Sequence, residues 1–156
     1  MTPTVAAPQP SLMNSLNRFT DPVYCLMRFI VGLLFACHGA QKMLGMFGGE
    51  GVAQGKMMVA GIIELGGLLL AVGLLTRLVA FLGSGVMAVA YFTAHASGQA
   101  IKHMPPSTAE AFFPILNKGE PAVVYCFLLL FMIFYGPGRW SLDALIWRKP
   151  EAAVAA

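Results

Sequence analysis

Residues 22–44 read PVYCLMRFIVGLLFACHGAQKML, and within the run only Arg28 and Lys42 carry a formal charge. A stretch this long and this apolar matches the ~20 residues needed to cross the hydrocarbon core of a bilayer. Three runs of the same character follow, at 57–75, 78–97 and 121–135, the last short but strongly apolar. Together they predict an all-α fold, a membrane four-helix bundle.

Composition agrees. Hydrophobic residues make up 58% of the 156 positions and charged residues 11%, with a mean hydropathy of +0.73, whereas a soluble domain carries about 25% charged residues. A soluble chain of this length could not bury so much apolar surface. The expected organisation is one membrane domain over 22–147, a disordered or interfacial N-terminal tail over 1–21, and a flexible C-terminal tail over 148–156. The net charge of +3 comes from scattered Lys and Arg, which implies no nucleic-acid partner and suits a lipid bilayer with anionic headgroups. The opening MTPTVAAPQPS has no basic region leading into an apolar core and cleavage site, so it does not read as a signal peptide. Cys25, Cys37 and Cys126 lack CxxC spacing, which argues against a dithiol redox centre and a c-type haem and leaves them as inert packing residues.

The connections differ in kind. Only Thr76 and Arg77 separate the second and third runs, so these form a tight antiparallel hairpin. Residues 45–56 are Gly-rich but follow a helix rather than a strand, so they do not read as a phosphate cradle. In the long third connection, Ser107-Thr108-Ala109-Glu110 is a capping box that should open a short interfacial helix carrying Phe112 and Phe113 and ending at Pro114. Gly136-Pro137-Gly138 should stop the fourth helix, Arg139 and Trp140 should anchor it, and Ser141 should cap a short interfacial helix at the C-terminus. Four spans place both termini on one side. Arg18, Arg77, Arg139, Arg148 and Lys149 on that side, against Lys42, Lys56, Lys102 and Lys118 on the other, favour cytoplasmic termini.

A charge within a span costs about 2.5–3.5 kcal/mol at its centre and must find a partner. Arg28 and Glu64, on the first and second helices, are expected to form a buried ion pair. At 100° per residue Arg28, His38 and Lys42 share one face of the first helix and Cys37 lies roughly opposite. Ala60, Gly61, Gly67 and Ala71 give a small-residue face around Glu64, where backbones can approach closely. Ser84, Ala88, Tyr91 and His95 follow helical spacing on the third helix. His38, Lys42, Glu64, His95 and Glu120 are therefore expected to line a polar pocket that opens outward and binds a ligand or handles protons. No metal set emerges. A bis-histidine haem between His38 and His95 would need facing rings at matched depth, and no catalytic residue is assigned.

These residues resemble the DoxX family: Arg28, then His38-Gly39-Ala40-Gln41-Lys42, then Gly61-Ile62-Ile63-Glu64-Leu65-Gly66-Gly67 leading through Gly73-Leu74 to Thr76-Arg77. Asn117-Lys118-Gly119-Glu120 and Gly136-Pro137-Gly138-Arg139-Trp140-Ser141-Leu142-Asp143 resemble its closing motifs, so the likeness covers about 22–147. The resemblance implies a four-helix protein of the bacterial inner (plasma) membrane associated with redox systems, some relatives being membrane subunits of thiosulfate-oxidising, quinone-reducing enzymes and others belonging to oxidative-stress complexes. It implies a quinone as the cofactor to look for and a redox protein as partner, and leaves oligomerisation open. The alternative is a non-catalytic membrane scaffold or small-solute carrier.

Overall fold

The computed structural model of the chain describes residues 12–51, 53–97 and 109–147, and among these it is all-helical with no strand. A short helix α1 (Leu12–Asn17) leads into α2 (Thr20–Leu44), which ends where Gly45 enters the left-handed region and its amide returns to Ala40 O. After a 3₁₀ turn at Met46–Gly48 come α3 (Lys56–Leu65), α4 (Gly67–Val72) and α5 (Thr76–Ala90), the last running into a single π turn, Tyr91–His95. A 3₁₀ turn at Ala109–Phe112 precedes α6 (Pro114–Asn117), α7 (Glu120–Tyr135) and α8 (Leu142–Ile146).

Two stretches, Ser15–Leu44 and Thr76–His95, are long and apolar enough to cross a membrane. The second expected span is instead two helices interrupted at Gly66. Gly66 and Gly67 are adjacent, and glycine is the weakest helix former after proline. The hairpin also lies slightly earlier than expected. Gly73 (φ +71°) and Leu75 (φ +51°) make the reversal, so Thr76 and Arg77 open α5 rather than connect two helices.

Pro114 starts α6 instead of ending a helix. Phe113 before it is extended (φ −82°, ψ 122°), as a residue preceding proline tends to be, and proline is well suited to a first helical turn. Ser107 and Thr108 of the expected capping box lie outside the described residues. At the C-terminal end the structure matches the reading: Gly136 stops α7, and Ser141 Oγ accepts the Ala144 amide at 3.1 Å to cap α8.

Helix α2 packs along α3 and α4, α5 packs along α7, and α3 and α4 join the two pairs through α5. Phe35, Leu70, Leu129 and Met132 fill the centre. The α2 seam is built of glycines. A Cβ on Gly32 would lie 2.5 Å from Ala71 N and 2.6 Å from Gly67 O, and one on Gly39 would lie 2.7 Å from Gly61 O. Backbones in direct contact fix the register of α2 against α3–α4, and that register decides which polar side chains meet.

Candidate functional site

In the N-terminal half of α2, Arg28 is 3% exposed and does not pair with Glu64. Its guanidinium donates to three main-chain carbonyls: Pro137 O, Trp140 O at 2.8 Å and Ala71 O at 3.3 Å. Ala71 lies in the last turn of α4, where unsatisfied carbonyls make the negative end of the helix. The expected ion pair fails for a reason of reach. Gly39 faces Gly61, Glu64 and Leu65, so Glu64 lies near the level of Gly39, roughly 16 Å along the axis from Arg28 at 1.5 Å per residue.

Arg28 is one part of a lock. Gly73 packs so closely that a Cβ there would stand 2.8 Å from the guanidinium carbon and 2.5 Å from the Ser141 Cβ. Asp143 accepts the amides of Leu75 at 2.8 Å and Thr76 at 2.9 Å, capping α5 from another part of the chain, and its own amide donates to Gly73 O. Tyr24 OH donates to Gly136 O. The segment after α7 is thus bound to α2, to the α4–α5 turn and to the start of α5.

A second lock closes the other end. Asn117 donates to Ala111 O at 2.6 Å and accepts the Gly119 amide at 2.7 Å, while His95 Nδ1 lies 3.0 Å from Asn117 O and Tyr91 OH donates to Phe112 O. The π turn that carries Tyr91 and His95 is therefore tied to the segment before α7. His95 serves here as a hydrogen-bonding strut.

Glu64 pairs with Lys42. The carboxylate is 1% exposed and the lysine side chain 26%, so the pair sits inside the α2–α3 contact with the ammonium nearer its edge. Ala53 N donates to Lys42 O at 3.0 Å, drawing the Gly-rich loop back over the end of α2. One oxygen of Glu64 takes the lysine, while Oε2 is buried with no hydrogen-bond partner among the described residues. A buried carboxylate oxygen without a donor is costly, and it can receive one more hydrogen-bond donor.

Of the five residues expected around an outward pocket, the structure joins Lys42 and Glu64. His38 is exposed, with its ring edge-on to Tyr125 at a centroid separation of 5.9 Å, and Glu120 is exposed at the start of α7, where an acidic residue complements the helix dipole. No hydrogen bond or ion pair links His38, His95 or Glu120 to the Lys42–Glu64 pair among the described residues. The sequence reading missed Asn117, Tyr125 and Asp143 as contacts.

A family profile for DoxX matches residues 23–96, which run from the first turn of α2 through the π turn and include Arg28, Lys42 and Glu64. The chain belongs to the DoxX family. An uncharacterized protein of Haemophilus influenzae is 38% identical to this DoxX chain over 143 residues, covering 88% of the chain and 100% of the relative. No solved structure matches it. DoxX is a membrane family, and with its apolar helices this chain is an integral membrane protein in contact with lipid.

Proposed function

We propose that this DoxX protein is a subunit of a quinone-linked redox or oxidative-stress system of the bacterial inner membrane, and that Lys42 and Glu64 hold the polar head of a quinone or chemically similar amphipathic molecule. The observation that carries the reading is Glu64 Oε2, buried beside the Lys42 ammonium and without a hydrogen-bond partner among the described residues. A quinone couple supplies two-electron, two-proton chemistry. Lys42 Nζ would donate a hydrogen bond to a carbonyl oxygen of the quinone, and Glu64 Oε2 would accept a hydrogen bond from a hydroxyl of the quinol formed once two electrons and two protons have been taken up, so one pair can hold both forms of the head. His38 and Tyr125, one helical turn from Lys42 and on α7, would flank the apolar part. The electrons would come from a redox protein partner.

The wider architecture belongs to the same proposal. Here α2, α3–α4, α5 and α7 are four spans, with α3 and α4 completing one crossing despite the break at Gly66, and both termini are cytoplasmic. Exposed Phe81, Phe127 and Phe134 would face lipid. In a cysteine-free background of intact cells, Gln54→Cys should react with an impermeant thiol reagent while Arg139→Cys stays protected. The opposite pattern would invert the topology.

The functional test is retention. Gentle solubilisation and mass spectrometry should find a quinone-class molecule with the wild type and much less with Glu64→Gln or Lys42→Gln at equal folded protein. Equal retention by both variants would contradict the assignment. A second reading, a non-catalytic scaffold, is favoured by Arg28, Asp143 and Asn117 all serving main-chain locks. A partner-dependent phenotype with no retained ligand would support it.

A further inference from the structure

An open groove of about 470 Å³ lies between the start of α5 and the segment after α7. Leu75, Leu78, Pro137, Ala144 and Trp147 give its apolar lining, and Arg77 and Asp143 its charges. The two charges are not equivalent. Asp143 is occupied by the Leu75 and Thr76 amides, so its negative charge is balanced by the N-terminus of α5. Arg77 is exposed and forms no hydrogen bond or ion pair among the described residues, where the ion pairs are Lys42–Glu64 and Arg139–Asp21. The groove therefore combines apolar walls with a guanidinium that has no ion-pair partner among the described residues.

That combination is complementary to an amphipathic anion. A guanidinium fork matches two phosphate oxygens, and the apolar walls suit the start of an acyl chain. The setting favours a lipid over a soluble phosphate. Leu78 lies at the beginning of the apolar stretch Thr76–His95, long enough to cross a membrane. Trp140 and Trp147 are 67% and 59% exposed at the same end of the molecule, where indole rings settle at the membrane–water interface. We infer that this groove binds an anionic phospholipid, with its phosphate on Arg77 and its chain along Leu75 and Leu78. The site is separate from Lys42–Glu64. Arg28, bonded to Pro137 O beside the groove, lies 14 residues from Lys42 on α2, roughly 21 Å along the axis.

The test uses the purified, delipidated full chain in detergent, read by native mass spectrometry with added phosphatidylglycerol, phosphatidylcholine or sn-glycerol 3-phosphate. Phosphatidylglycerol should bind best, and Arg77→Gln should weaken it about tenfold, the size of a lost charge-assisted contact, and weaken phosphatidylcholine, whose choline already balances its phosphate, by clearly less. Ala144→Leu narrows the apolar wall without touching the charge and should also weaken phosphatidylglycerol; it decides the matter should Arg77→Gln fail to fold. The inference is overturned if folded variants bind phosphatidylglycerol as the wild type does, if phosphatidylcholine binds equally well, or if glycerol phosphate alone binds as tightly as the lipid.

Discussion

Each Cα–Cβ bond in a helix tilts toward the N-terminus, so side chains on antiparallel neighbours converge when each lies C-terminal to the level where the backbones touch. Lys42 follows Gly39, and Glu64 follows Gly61, the two glycines in contact. Both side chains therefore lean toward one another, whereas Arg28 leans away from Glu64 and toward the α4–α5 turn. The candidate residues could be read in the sequence, but their pairing required the register, which Gly39 and Gly61 set through space. Lys42→Met should lower stability in detergent by about 3 kcal/mol, the low end of the range for stranding a buried carboxylate, because Lys42 is partly exposed. Adding Glu64→Leu should recover about 1 kcal/mol or more of that loss. Arg28→Ala and Glu64→Ala should be additive, and strong coupling between them in thermal melts would show that the register is wrong.

Helices α2, α5 and α7 were legible from hydrophobic runs alone, since a long apolar stretch needs no tertiary information to be seen. The break at Gly66 and the π turn at Tyr91–His95 were not, because each depends on what packs beside it: Gly67 against the backbone of Gly32 and Ala36, and the π turn against Asn117 and Phe112. The glycines separate into two kinds on the same grounds. Gly39→Ala would drive a methyl group into Gly61 O and force α2 from α3, costing about 1–3 kcal/mol. Gly85, exposed on α5 with nothing within 4 Å of where a methyl group would stand, should instead gain about 0.5–1 kcal/mol from alanine, the intrinsic helix preference. Melting temperatures moving in opposite directions would bear this out; a neutral Gly39→Ala would remove the tight seam.

Across the whole molecule, the motifs that carry the family likeness divide by task. Arg28 and the stretch from Gly136 to Asp143 fasten one end, and Asn117 to Gly119 with His95 fastens the other. The Lys42–Glu64 pair remains as a charged site with a buried acceptor that has no partner among the described residues, held in place by the α2 seam, and the Gly-rich loop is tied by Ala53 to the Lys42 carbonyl. Photolabelling of native membranes with an azido-quinone, followed by peptide mapping, tests that assignment most directly. Crosslinks should concentrate in residues 38–43 and 60–65 and be suppressed by Glu64→Gln. Labelling confined to the groove at Leu75, Leu78 and Trp147, or unchanged in Glu64→Gln, would contradict it.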